Sequence, residues 1–443
     1  MFHADDLADL ARGHDPYVTS PLGWRPAGEG RQSPTYPPGL PLLMAIPHAI
    51  AGVSGASAVV ITCAGIAIIA TGLLAFQLGG SIAAVIAASF IAFAPVFLYQ
   101  SIQPMSDVPV TAAWIMCFLL VNRHRSLAAG VACAIAVLIR PNLAPLAIVP
   151  LAMAHHRFRF ATPVAIAGVF LAFIQMLWYG SPIRSGYGPV GELFALSNIV
   201  PNASRYARWL IGTSPALVLA IFGVVRLRGN RVARGLAAFA ILVIASYLVY
   251  AVFDDWSYLR FLLPAVAILA VFAAIELSVW IDRWPIAVRP LLLFAVVIGV
   301  TAHALWVARS MDTFKLHDQL LRVSVVADFI NEDVPPSAVI VAGEQSGSMR
   351  YYTDRPILRW EAATAESLDQ AMRTLESSRR PVYIVLDAWE DGPFRAKFGA
   401  LPSGALDWPP ILDAGTSHRT RLWKLSDRDR FHRGESLSTI RLP

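Results

Sequence analysis

Charge is scarce in this 443-residue chain: Asp, Glu, Lys and Arg make up 15% of it, against 56% hydrophobic residues and a mean hydropathy of +0.55. One soluble core cannot absorb that much apolar sequence, and several stretches are long enough to cross hydrocarbon, so the chain reads as an integral membrane protein. Cysteine is nearly missing too. Cys63, Cys117 and Cys133 stand in apolar segments without CxxC spacing, which excludes a disulfide framework and a zinc site. There is no internal repeat, no low-complexity segment, no G-x-G-x-x-G and no Walker lysine. Met1 is followed by Phe2, His3 and acids rather than by a basic and then an apolar region, so no signal peptide is read there.

What charge there is carries a pattern. The excess of +6 and the pI near 9.4 do not point to nucleic acid, because the arginines gather in short links between apolar segments, as cytoplasmic loops do. One set of links holds Arg123 and Arg125, Arg157 and Arg159, Arg226 to Arg234, and Arg283 with Arg289. The alternate links, 99–107, 179–208 and 254–260, are poorer in arginine and hold most of the acids. The expectation is about ten spans, at 56–76, 80–98, 107–122, 126–140, 141–154, 161–178, 208–226, 235–253, 259–281 and 288–307. The fourth and fifth form a tightly turned pair at Arg140-Pro141-Asn142, and 42–55 is a juxtamembrane or re-entrant helix. Both the opening stretch and the C-terminal region then face outward.

From about Asp312 the composition becomes that of a soluble domain. Leu316 to Asn331 reads as a helix stopped by Val334-Pro335-Pro336, 338–343 and 381–387 as buried strands, 363–377 as helical, and 419–425 as an edge strand. Strands alternating with helices imply a small α/β domain. Gly343 and Gly347 after a strand read as a plain turn rather than a phosphate-binding one, and the charged residues after Ser426 as a frayed end.

Ionisable groups at span ends are costly unless they reach water or do chemistry. Asp107, in Gln103-Pro104-Met105-Ser106-Asp107-Val108-Pro109, opens a span on the outer face; alternatively Ser106 or Asp107 merely caps that helix. Asp5, Asp6 and Asp9 lie on a short acidic helix that is either solvated or functional. Tyr36 sits in the rigid turn Tyr36-Pro37-Pro38-Gly39. Arg140 and Arg260 stand at outer span ends, where arginine suits phosphate oxygens or simply snorkels. The loop 178–188, with Arg184 and Tyr187, suits stacking on sugar rings or an aromatic belt. His3 and His14 with the nearby acids match no metal-ligand spacing.

Taken in order, the acid-rich opening, TYPPGLP, MSDVP, LIRPN, SPIRSGYG and RFLLP resemble the large-loop GT-C membrane glycosyltransferases. That family includes the protein O-mannosyltransferases and the aminoarabinose transferases of lipid A. The resemblance covers Met1 to about Arg309. It implies a polytopic, mainly α bundle at 56–309 with an outer loop at 1–55; the α/β domain at 312–443 is extracytoplasmic on the charge pattern. The resemblance also implies a polyprenyl-phosphate sugar donor, a glycan, lipid or protein acceptor, a bacterial plasma membrane, and room for a divalent metal. On that pattern Asp107 matches the acid of the second outer loop, and Arg140 and Arg260 match phosphate-binding positions. Tyr36 stands where some relatives carry lysine. The catalytic acid of the first loop aligns upstream of Met1, so an eleventh, N-terminal span is expected before this chain, failing which Asp5 or Asp6 substitutes. The competing readings are a lipid or solute transporter, disfavoured by the lack of repeated halves and midplane charges, and a non-catalytic scaffold.

Overall fold

The computed structural model describes residues 2–3, 15–27, 31–188, 193–416 and 418–442. The chain divides into two compact units, Pro37–Phe314 and Met1–Tyr36 together with Lys315–Pro443.

The first unit is a polytopic helical bundle. Among the described residues, five helices are long and apolar enough to cross a membrane: Gly39–Phe93, Arg157–Tyr179, Arg231–Leu248, Trp256–Asp282 and Arg289–Ser310. The 55-residue first helix is three runs in one, because Gly52 (φ 59°) and Gly80 (φ 80°) take left-handed conformations inside it. Trp256–Asp282 is the central helix: 83% of its apolar window is buried, against 17% for Arg157–Tyr179 and Arg289–Ser310. Apolar residues on all its faces suit that position.

Two expected spans are broken. The stretch 80–98 stops at Phe93 and restarts at Pro95–Ser101, since Pro95 pushes Ala94 into an extended conformation. The stretch 208–226 is a pair, Leu196–Thr213 and Pro215–Arg226, bent by 109°; Pro215 does the same to Ser214 (φ −150°, ψ 62°). The expected turned pair is present. Ser126–Ile139 runs up to Arg140, the chain returns through a 3-10 turn at Pro141–Ala147 and a helix at Ile148–Met153, and the amide of His156 reaches Ser126 Oγ at 3.1 Å.

The second unit is α/β. Its strands are β1 (Phe2–His3), β2 (Trp24–Pro26), β3 (Arg31–Pro34), β4 (Val339–Ala342), β5 (Ile357–Arg359), β6 (Val382–Asp387), β7 (Leu412–Ala414), β8 (Thr420–Lys424) and β9 (Ile440–Leu442). The larger sheet has the order β5-β4-β6-β8-β7-β9, parallel over β5-β4-β6 and antiparallel from β6 through β8 to β7. Side chains of β4 alternate between two cores. Val339 and Val341 pack with Leu368, Met372 and Phe394, while Ile340 and Ala342 pack with Val326 and Ile330 of the helix Leu316–Asp333. Both faces are covered, which is why the strand reads as a continuous apolar run.

The opening stretch belongs to this unit rather than standing apart. Val18 enters the core of the sheet, its carbonyl accepts the Arg359 amide at 2.6 Å, and the Leu22 amide donates to Ser346 Oγ at 2.9 Å. The C-terminal residues are not frayed: Asp427–His432 is helical and β9 pairs in parallel with β7. The turn after β4 is filled from within, because Glu390 accepts the amides of Glu344 at 3.0 Å and Asp387 at 2.9 Å. Burial, with the carboxylates of Asp387 and Glu344 beside it, pushes the Glu390 carboxyl up to about 7 against the two amide bonds.

An acid that holds its proton more tightly folded than unfolded stabilises the fold fully below the unfolded value near 4.5 and loses that contribution as pH rises through about 7. Relative to the parent, Glu390→Gln should therefore be about 3 kcal/mol better off at pH 8 than at pH 4.5. Unfolding midpoints of both proteins across this range check it; parallel profiles would refute the assignment.

Candidate active site

Asp107 opens the helix Asp107–Asn122 and is fully buried. Neither Ser106 nor Asp107 caps that helix with a side-chain hydrogen bond. Both serve Arg140 instead. Its Nη2 meets Asp107 Oδ1 at 2.5 Å, Nε donates to Ser106 Oγ at 3.1 Å, and Nη1 donates to the Tyr247 hydroxyl at 3.1 Å. Arg140 can do this because Pro141 ends its helix and leaves it extended (φ −136°, ψ 86°).

The Pro-Pro-Gly turn expected to matter supports this corner from behind. A Cβ on Gly39 would lie 2.3 Å from the carbonyl carbon of Leu138, so only glycine lets the first helix touch the backbone just before Arg140. Tyr247 is set from the other side. Its hydroxyl also accepts from Asn142 at 3.0 Å, and the Asn202 amide ties the carbonyls of Tyr247, Leu248 and Tyr250. The first two are carbonyls at the end of Arg231–Leu248, and the third belongs to the residue just past its cap.

Arg260 is the second cation. It lies 4.8 Å from the centre of the Tyr258 ring and 5.3 Å from that of Phe261, and Arg140 lies 5.2 Å from the same Phe261 ring. Phe261 stacks on Tyr247, and Phe253 on Tyr258 at 3.9 Å. Tyr250 packs edge-on against Phe261 and within electrostatic reach of both guanidiniums. Among the described residues no ion pair joins Arg260 to a carboxylate, and its Nε is buried without a hydrogen-bond partner. Of the two guanidiniums on this aromatic wall, Arg140 is ion-paired to Asp107, whereas Arg260 forms no ion pair among the described residues, with Asp255 in electrostatic reach of the same Tyr99. A guanidinium held by rings rather than by a carboxylate is suited to taking an anion.

The sequence-predicted residues fall into three groups. Asp107, Arg140 and Arg260 come together, and Tyr187 lies within electrostatic reach of Arg140. Arg184 is exposed on the 180–188 loop. Tyr36 is half exposed in the α/β unit, and Asp5, Asp6, Asp9 and His14 lie outside the described residues. Sequence reading missed Tyr247, Asn202 and Tyr250, and took Asn142 and Phe261 only as parts of the stretches LIRPN and RFLLP, without a role of their own. The spacing Tyr247, Tyr250, Phe253 could have flagged them, but it is equally that of an aromatic belt. Among the described residues no group of three or more His, Cys, Asp and Glu side chains could hold a metal ion.

The chain has the GT-C fold of polytopic membrane glycosyltransferases. ArnT, an aminoarabinose transferase from Cupriavidus metallidurans, superposes on it both in the structure bound to undecaprenyl phosphate and in the apo state. The TM-scores are 0.55 and 0.54, at 13% and 15% sequence identity, and each comparison covers 88% of both chains. No protein-family model matches the sequence, and neither does any curated protein.

Asp107→Ala would strand a buried guanidinium and should cost about 3 kcal/mol. Asp107→Ala combined with Arg140→Met should recover much of that, as in a double-mutant cycle of a buried pair. Unfolding of the four proteins in detergent measures it, and purely additive losses would mean the pair is not coupled.

Proposed function

We propose that this protein transfers a sugar from a polyprenyl-phosphate donor to an acceptor hydroxyl. The observation that carries the reading is the arrangement of charge in the aromatic corner, with Arg140 neutralised by Asp107 and Arg260 left for a ligand. The ArnT fold supports it, since one of those structures holds undecaprenyl phosphate. We place the protein in a bacterial plasma membrane, with this corner and the α/β unit on the outer side, from the distribution of its arginines.

In the reaction the bond from the anomeric carbon to the phosphate oxygen breaks and its electron pair stays on the phosphate. Arg260 would take that developing charge, with Arg140 held beside it, and fixed cations in a dry pocket act without reorganising. The acceptor oxygen bonds to the anomeric carbon and gives its proton to a carboxylate. Asp5 and Asp6 are candidates for that base, as is the unpartnered Oδ2 of Asp107. Asp107 already holds Arg140 through Oδ1, so we assign Asp107 mainly to positioning Arg140. The Tyr247 hydroxyl already accepts twice, which leaves its own proton for a phosphate oxygen.

The test uses the full chain in nanodiscs with a radiolabelled polyprenyl-phosphate sugar, scoring release of polyprenyl phosphate with transfer of label to envelope extract. Arg260→Ala should lower transfer by about 100-fold, Arg260→Lys should lower it less, and Asp107→Asn should abolish it in a protein that still inserts. Full activity in Arg260→Ala would overturn the reading. So would donor-independent solute uptake in liposomes.

A further inference from the structure

At the other ends of the helices that carry Asp107 and Arg140, roughly 24 Å along the bundle for a 16-residue helix, two basic links meet. One holds Arg123, His124 and Arg125; the other holds His155, His156, Arg157 and Arg159. They form one surface. The His156 amide bonds Ser126 Oγ at 3.1 Å, and the ring centres are 5.7 Å apart for His124 and His155 and 4.6 Å for His155 and His156. Just beneath, a Cβ on Gly130 would lie 2.3 Å from the Phe160 carbonyl oxygen, so the two helices cross at backbone contact and fix the spacing of the links. Arg231 adds a fifth guanidinium by donating to the Ala152 carbonyl at 2.8 Å.

All seven link residues are exposed, and among the described residues no ion pair joins these arginines to a carboxylate. A mere orientation signal needs only the charges; here they are held at fixed distances beside three imidazoles. Phe158, between Arg157 and Arg159, is 90% exposed, and Ile166, Val169 and Phe173 continue an exposed apolar track along the same helix. A soluble phosphate has no use for that track, whereas a phospholipid fits both parts.

We propose that this patch binds the headgroup of an anionic phospholipid. Its phosphate oxygens lie on the guanidiniums and imidazole N–H groups, and its acyl chains run down Arg157–Tyr179. Basic pockets between helices hold lipid phosphates in this way, at about 1 kcal/mol per basic residue. The site is independent of the sugar-transfer reading.

The experiment reads lipid retained by the detergent-purified full chain, by native mass spectrometry after exchange into phosphatidylglycerol or phosphatidylcholine. Phosphatidylglycerol should be retained preferentially, and Arg157→Gln with Arg159→Gln should weaken it by about 30-fold. A control that loses the same charge elsewhere, Arg228→Gln with Arg283→Gln, should keep the preference, and unchanged unfolding in phosphatidylcholine shows that the variants fold. Equal retention of the two lipids by the parent, or equal losses in patch and control variants, would overturn the proposal. Displacement of the lipid by millimolar inorganic phosphate would reassign the site to a soluble anion and overturn it as well.

Discussion

The buried ion pair between Asp107 and Arg140 is the constraint on which the bundle's working corner depends. Taking two charges out of water costs several kcal/mol each unless geometry and extra hydrogen bonds return it. Here each nitrogen of the guanidinium has a partner, on Asp107, Ser106 and Tyr247. Those partners come from one helix start and one helix end, so the hairpin 107–139 and the helix Arg231–Leu248 can pack in only one register without stranding a charge. Gly39 and Asn202 are understood in the same way, since each removes an obstacle to that register or satisfies the backbone it exposes.

Such a pair is weak evidence for stability as such, because apolar residues of similar size often hold a fold as well. Its value lies in what it leaves over. Arg140 is fixed and neutralised, while Arg260 is confined by Tyr258 and Phe261 and, among the described residues, forms no ion pair with a carboxylate. A guanidinium tolerates an aromatic wall better than an ammonium does, being planar and weakly hydrated. Two cations fixed around one ring, one of them ion-paired to Asp107, create a field that a mobile loop could not hold.

Much of this could be read from the sequence, for physical reasons that differ by element. Strands β4 and β6 were plain because a strand covered on both faces is an unbroken apolar run, whereas β9, three residues in a charged tail, owes its place to pairing with β7 and to the packing of Leu442. Asp107 and Arg140 stood out because a charge at a span end is expensive. Their pairing did not, since 33 residues separate them and the register is set by packing. Tyr247 stayed hidden because an aromatic near a span end has a bland explanation. The breaks at Ala94 and Ser214 were written in the prolines that follow them, but hydropathy alone runs straight through a proline.

The two ends of the same pair of helices show how far setting decides what arginine can do. At one end the guanidiniums are mostly buried and held by aromatic rings or by Asp107, so a field of fixed direction persists whether or not a ligand is present. At the other end Arg123, Arg125, Arg157 and Arg159 are wet, and screening confines their reach to about 8 Å at physiological salt. Only a charge that comes into contact with them is held. The first arrangement suits a bond whose electrons must move to a defined oxygen; the second suits a headgroup that only has to stay. The helices joining them are common to both ends, so the difference lies in burial, which Pro141 and Gly39 favour at one end and which is missing at the links 123–125 and 155–159.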